Sequence, residues 1–184
     1  MPLPIAHTLI STSVFVAYRG GFSLKDDWRW AALFAFAGLL PDIDFVTVPF
    51  LGFGAHRGFT HSFLFAFLAT ALIYIFISIW RSKTTPRLWA FLFMAMALHP
   101  ICDYFTYDYL VERGGVKLFY PFSNEYYESP LPIFMGIELR HLKTIFSLHT
   151  LAAVAYETVL SGALLLTTLY LKRTFFSTGR RAEQ

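Results

Sequence analysis

The sequence predicts an all-α fold, a polytopic membrane helix bundle of about five spans with one long non-cytoplasmic loop. Three observations predict it: 56% of the 184 residues are hydrophobic, only 15% are charged, and two segments of more than 20 residues are almost purely apolar. Soluble domains average roughly 45–50% apolar and about 25% charged residues. The composition excludes a disordered chain or a nucleic-acid-binding protein, and residues 1–184 are expected to form a single integral membrane domain in the lipid bilayer.

The expected spans follow from the apolar runs, since a spanning helix needs roughly 20 such residues. Segments 59–80 and 145–171 meet this length, and segment 87–105 nearly does. Segment 28–40 is short enough to need a tilted or partly inserted helix. Segment 2–18 lacks the basic start of a signal peptide, so it is expected to be retained as the first span.

The charges predict the orientation of the bundle. With five spans, ten Lys and Arg residues fall on one side of the membrane and five on the other. The positive-inside rule makes the ten-residue side, with the C-terminus, the cytoplasmic side of a prokaryotic inner (plasma) membrane. The Tyr-rich loop 106–144 would cover the other side, and loops of that length are often functional lids. All six histidines and three aspartates lie at or near this non-cytoplasmic side: His7, His56, His61, His99, His141, His149, Asp42, Asp44 and Asp103.

Two motifs place carboxylate and imidazole groups at the ends of spans. In LLPDID, Pro41 ends or kinks a helix, and Asp42 and Asp44 follow at the membrane edge. Carboxylates there are paired, solvated or bound to a metal, so charges at a helix end in water are the alternative to ligands. In HRGFTHS, His56 and His61 straddle a helix start and can converge on one ion.

Other residues of HRGFTHS have two open interpretations. Thr60 or Ser62 can cap the following helix by accepting backbone N–H bonds, and this role is as plausible as a chemical one. Arg57 can bind a phosphate as a bidentate donor, or it can form a salt bridge to one of the aspartates of LLPDID.

The third motif is HPICD, in which His99 and Asp103 are four residues apart and share a helix face. This spacing suits two ligands of one metal, or a histidine oriented by a carboxylate. His7 either completes the site or is a hydrogen-bonded histidine of the bundle. His149 and Glu157, eight residues apart, share a face poorly, and whether they join the site is left open.

In chain order, His7 followed by LLPDIDF, HRGFTHS, HPICDYFT and VKLFYPFS resembles the YdjM-type family of LexA-regulated inner-membrane proteins, which are predicted to be metal-dependent hydrolases. The resemblance runs from about residue 5 to residue 123. It implies a multi-span bundle with a metal site formed by His7, Asp42, Asp44, His56, His61, His99 and Asp103. The order of motifs is similar, more loosely, to the zinc phospholipase C and nuclease group, whose later HxxxE ligands have no clean match here.

These patterns predict a membrane-bound metal-dependent hydrolase that acts on a phosphoester or other ester of an amphiphilic, lipid-like substrate. A divalent metal lowers the pKa of bound water from roughly 15.7 to about 7. Zinc is expected first, with manganese or iron as alternatives. Asp42, Asp44 and Arg57 are the catalytic candidates, one aspartate holding the metal and the other serving as general base. The alternative is a non-catalytic metal-binding or transport membrane protein, which needs polar groups through the depth of the bundle.

Overall fold

The structure is a computed structural model, which describes residues 2–19, 23–47, 50, 56–81, 84–107, 115–137, 144 and 146–181. Over these residues the chain is all-helical, as predicted, with no strand beyond two isolated β-bridges. The described α-helices are α1 (Pro4–Tyr18), α2 (Leu24–Leu39), α3 (Phe63–Trp80), α4 (Pro86–Tyr104) and α5 (Leu148–Arg181). Two 3-10 helices, Leu40–Thr47 and Phe59–His61, lie between α2 and α3.

Capping side chains and prolines set the helix boundaries. The Ser62 hydroxyl accepts a hydrogen bond from the backbone N–H of Phe65 at the start of α3, as expected for a cap. Thr85 does the same for Leu88 at the start of α4, where Pro86 occupies the first helical position. Helix α2 gives way to a 3-10 helix at Leu40, next to Pro41, which has no N–H to continue the α-helical ladder.

The five-span arrangement remains a prediction. By length and composition, two helices of the described chain could cross a membrane: α3 over its whole length and α5 over Leu148–Thr174. Helix α1 is apolar but shorter. Helix α2, predicted as span 28–40, begins with a charged turn that contains Asp26 and Asp27, and α4 carries the polar HPICD motif, so neither has a long apolar window.

Helix α1 occupies the middle of the bundle and packs against α2, α4 and α5. Its Phe15 joins Phe34 of α2 and Leu92 of α4 in a fully buried core. Gly38 allows α1 and α2 to approach closely, because a Cβ there would lie 1.8 Å from the Ser11 Oγ atom and 2.6 Å from its Cβ. This contact brings the end of α2 beside the end of α4.

The segment 115–137 covers the end of the bundle that carries the polar motifs. Leu118 accepts a hydrogen bond from the N–H of Phe63 at 3.0 Å, and Lys117 donates to the carbonyl oxygen of Arg57 at 3.2 Å. Ile133 donates to the carbonyl of Phe105, just beyond α4, at 2.7 Å. The loop is therefore tied to both of the histidine-bearing motifs, HRGFTHS and HPICD.

Candidate metal centre

Four parts of the chain bring buried His and Asp side chains to one end of the bundle. The 3-10 helix Leu40–Thr47 supplies two aspartates, HRGFTHS supplies two histidines, α4 supplies a histidine and an aspartate, and α1 supplies one histidine. Two groups could each hold a metal ion, with ligand atoms within 4.8 Å of one another: Asp42, Asp44, His56 and His61, and His7, His99 and Asp103. The structure thus gathers all seven residues that the family resemblance implies.

Four of these side chains point one atom each at a common centre. The His61 Nε2 atom lies 3.2 Å from His99 Nε2, 3.2 Å from Asp103 Oδ2 and 3.5 Å from Asp42 Oδ1. The His99 Nε2 atom lies 3.3 Å from Asp42 Oδ1 and 3.5 Å from Asp103 Oδ2. Ligand atoms roughly 2.0–2.1 Å from a tetrahedral ion are about 3.3–3.4 Å apart. Five of the six distances among these four atoms, 3.2–3.5 Å, therefore match the spacing of a tetrahedral metal site.

Hydrogen bonds on the far side of the two imidazoles fix the direction of their lone pairs. His99 Nδ1 lies 2.7 Å from the carbonyl oxygen of Gly38, which can only accept, so the proton is on Nδ1. His61 Nδ1 lies 3.3 Å from Asp44 Oδ2 and 3.0 Å from the Thr60 hydroxyl. In both rings Nε2 is left as the atom that presents a lone pair to the centre.

The centre has an excess of electron-pair donors. Within the described part of the chain, neither carboxylate oxygen of Asp42 nor of Asp103 has a hydrogen-bond partner, and all four oxygens are buried. Buried carboxylates are costly unless they are paired or coordinate a metal. Two carboxylates and two imidazole lone pairs at 3.2–3.5 Å repel one another unless a cation lies among them. The donor set fits a divalent ion with mixed nitrogen and oxygen ligands.

Asp42 and Asp44 have different environments, although only one residue separates them. Asp44 Oδ1 accepts from His56 Nδ1 at 2.7 Å, and its Oδ2 accepts from the Thr60 hydroxyl at 2.6 Å and from the Arg57 N–H at 3.2 Å. Burial raises the pKa of the Asp44 carboxyl, but the hydrogen bonds from His56 and His61 outweigh it and hold that pKa below its usual range. Asp44 therefore orients the histidines, whereas Asp42 faces the centre.

Arg57 and His7 lie on the other side of Asp103. The Arg57 Nη2 atom is 3.9 Å from Asp103 Oδ1, and His7 Nε2 is 3.8 Å from the same oxygen. The His7 ring stacks on that of His99 with a centroid distance of 3.7 Å. Arg57 is fully buried and has a φ of 67°, a left-handed conformation that non-glycine residues adopt only where the surroundings impose it. A guanidinium is thus held next to Asp103, one of the candidate metal ligands.

The remaining candidates lie apart from this cluster. His149 is exposed, and its Nε2 lies 2.8 Å from the Gly136 carbonyl. Glu157 is buried in α5 and accepts from the Leu3 N–H at 2.6 Å, at the start of α1. His141 lies outside the described residues. Sequence reasoning missed Gly38, because a glycine near a helix end carries no signal that its carbonyl orients a histidine.

Comparisons with known proteins agree with the resemblance. Over 103 residues the chain is 33% identical to the inner membrane protein YbcI of Escherichia coli (strain K12), a stretch that covers 52% of this chain and 57% of that protein. The chain thus matches little more than half the length of this relative. No solved structure matches the chain. A family model described as YdjM inner membrane protein matches residues 1–179, and these matches support an inner membrane location. The chain belongs to the YdjM inner membrane protein family.

Proposed function

We propose that this chain is an inner-membrane metal-dependent hydrolase that cleaves a phosphoester or other ester of an amphiphilic substrate. The observation that supports the proposal is the cluster of four inward-facing ligand atoms, His61 Nε2, His99 Nε2, Asp42 Oδ1 and Asp103 Oδ2, at tetrahedral spacing. Zinc is the first candidate, because it favours four-coordinate sites with nitrogen and oxygen ligands, and manganese and iron are the alternatives.

In this proposal the four residues hold the ion and the surrounding side chains serve the substrate. A divalent ion supplies Lewis acidity and lowers the pKa of water. His56, whose Nδ1–H donates to Asp44 at 2.7 Å, is the residue that we assign to accept a proton. Asp44 keeps the His56 ring in this tautomer and stabilises the positive charge that forms on it. The general base is thus the His56–Asp44 pair, and Asp42 is the metal ligand of the LLPDID motif.

Arg57 is the residue we assign to the anionic part of the substrate. Its guanidinium is buried next to Asp103 Oδ1, and its backbone is fixed by hydrogen bonds to Asp44 and Lys117. A planar guanidinium pairs well with phosphoryl oxygens through two parallel N–H donors. A phosphoester is therefore the first substrate class to test.

The decisive experiment is metal analysis of the purified protein in detergent. Wild type is expected to retain about one tightly bound divalent ion in the tetrahedral site. His99→Ala and Asp103→Ala are expected to lose it, whereas His149→Ala, which changes an exposed histidine outside the cluster, is expected to keep it. A folded wild type that binds no divalent metal contradicts the proposal.

A non-catalytic metal-binding or transport protein is the second candidate. A carrier needs polar groups along a pathway through the bundle. In the described chain the His/Asp cluster lies at one end, although the buried Glu157 is an additional ionisable group on α5. Metal-dependent turnover of phosphomonoester and phosphodiester lipids supports the hydrolase. Metal flux into proteoliposomes without turnover supports the carrier.

We further propose that the metal centre faces the non-cytoplasmic side and that the C-terminus is cytoplasmic. The support is the distribution of Lys and Arg residues under the positive-inside rule. A cysteine-accessibility tag on the C-terminus is expected to be labelled only after the cells are permeabilised. Labelling of the C-terminal tag in intact spheroplasts would show the opposite orientation.

A further inference from the structure

An apolar groove runs along the outside of the metal centre. It has a volume of about 330 Å³ and is formed by the last turns of α2, the 3-10 helix Leu40–Thr47 and the start of α1. Ligand pockets have volumes of roughly 300–1,000 Å³, so the groove is large enough for part of a small molecule. Its lining includes Phe36, Leu39, Ile43 and Phe45, and among the described residues that line it the one charged side chain is Asp42.

One lining residue, Asp42, also belongs to the metal centre, and a second, Phe45, contacts a histidine of that centre. The side chain of Asp42 is 12% exposed, whereas those of His61, His99 and Asp103 are fully buried. Both Asp42 carboxylate oxygens are nevertheless buried, and Oδ1 lies 3.3 Å from His99 Nε2 of the centre, so the groove is in contact mainly with the apolar part of this side chain. The ring of Phe45 packs on that of His56 with a centroid distance of 4.1 Å. The groove and the centre are therefore separated only by the side chains of Asp42 and Phe45.

The surface next to the groove is also apolar. Phe36 and Ile43 are each 56% exposed although they are large hydrophobic residues. In an inner membrane protein, such residues at the rim of a groove contact lipid chains. The polar groups of the groove are turned inward, so a peptide or a hydrated solute finds no partner there, whereas a lipid chain does.

The geometry points to the groove as the binding site for the acyl chain of a membrane lipid, held so that the phosphoester of its head group lies next to the metal centre. This inference rests on the proposed function and specifies its substrate as a lipid ester that enters from the bilayer. Asp42 and Phe45, both on the 3-10 helix, lie between the groove and the centre. An uninterrupted 3-10 run of eight residues is unusually long, and such stretches often mark a hinge.

Two substitutions that fill the groove, and one matched control, test this inference. Ile43→Trp fills it from the 3-10 helix and Phe36→Trp fills it from α2. Val46→Trp makes a similar enlargement one 3-10 turn beyond Ile43, at a residue that is exposed and does not line the groove. All three side chains are more than half exposed, so the variants are expected to fold.

The first readout is binding and does not depend on catalysis. Each protein is placed in phosphatidylglycerol vesicles that contain a lipid with a photoreactive diazirine on its acyl chain, and cross-links are mapped by peptide mass spectrometry. In wild type we expect a severalfold excess of cross-links to residues 36–45 over the exposed apolar face of α3. Ile43→Trp and Phe36→Trp should abolish this excess, and Val46→Trp should keep it.

The second readout compares a long-chain lipid phosphate with p-nitrophenyl phosphate, which has no acyl chain. Ile43→Trp is expected to lower the ratio of the two kcat/KM values by about tenfold or more, because a hydrophobic pocket discriminates substrates to that degree. If wild type binds no metal and hydrolyses neither substrate while the cross-linking excess is present, the proposed function fails and the lipid site stands. Equal cross-linking of the groove and of α3, or an excess that survives both filling substitutions, overturns the inference.

Discussion

Gly38→Ala is the most informative single substitution, because Gly38 allows two helices to approach closely and its carbonyl orients His99, a candidate metal ligand. The added Cβ would lie 2.6 Å from the Cβ of Ser11, and ordinary contacts of this kind are 3.4–4 Å long. The Ser11 hydroxyl, at 1.8 Å, can rotate away, but its Cβ is fixed to α1. Helices α1 and α2 must therefore separate by roughly 0.8 Å at this point.

The expected cost has two parts of opposite sign. Overpacking a tight contact costs about 1–3 kcal/mol, and replacing glycine by alanine within a helix returns up to about 1 kcal/mol. We expect a net loss of about 1–2 kcal/mol in the free energy of unfolding, a fall in Tm of about 2–8 °C for a chain of this length. Because the Gly38 carbonyl accepts from His99 Nδ1, the zinc affinity should fall by about tenfold or more.

The assay is unfolding in detergent micelles, combined with zinc titration against a chromophoric chelator. Gly162→Ala is the matched control, because an added Cβ there has no atom within 4 Å, and it should stabilise α5 without changing zinc affinity. The double variant Ser11→Gly/Gly38→Ala should recover zinc affinity, since the closest remaining atom is the His7 carbonyl oxygen at 3.3 Å. If Gly38→Ala has the stability and zinc affinity of Gly162→Ala, the reasoning is refuted.

Three further predictions address the centre and its surroundings. Asp44→Asn should weaken zinc binding about 10–100-fold, because it weakens the acceptor that orients His61 and His56, and an unchanged dissociation constant would show that Asp44 has no such role. Glu157→Leu should cost about 1–3 kcal/mol in unfolding experiments, because the partly buried N–H of Leu3 loses its acceptor, whereas Glu157→Gln should cost less. Equal losses would count against the hydrogen bond. Removal of metal with a chelator should lower Tm reversibly, since an ion at 100 times its Kd stabilises the folded state by about 2.7 kcal/mol, and a Tm insensitive to both chelator and zinc would argue against a resident ion.

The sequence predicted which residues come together, but not which aspartate faces the centre and which contacts the histidines. His99 and Asp103 are four apart in an α-helix, so a shared face followed from helical geometry, and the structure has it. For Asp42 and Asp44 the local backbone conformation determines the direction of each side chain. In a 3-10 helix of three residues per turn, side chains two residues apart point about 120° away from each other, so one faces the centre and the other the histidines behind it. Pro41 of LLPDID predicted that the helix ends or kinks here, but not that the chain continues as a 3-10 helix from Leu40.

The number of membrane spans is harder to predict than the site, because the polar residues of the site lie within the helices that would be spans. Buried polar ligands at the end of a short helix reduce the very hydropathy by which a span is recognised, as in α4 with its HPICD motif. Contacts between residues far apart in the chain could not be predicted from local sequence patterns either. The bond from Leu3 to Glu157 joins residues 154 positions apart, and no local pattern encodes it.

The distribution of the seven gathered residues along the chain has a consequence for biosynthesis. His7 is the first and Asp103 the last, and the loop that covers them ends its described part at residue 137. Helix α5 contributes none of the seven. A nascent chain therefore carries all seven residues before α5 has been translated, so an ion that they bind can be captured before that helix is inserted. Helix α5 then packs against α1, and Glu157 accepts a hydrogen bond from the Leu3 N–H at the start of the helix that contains His7.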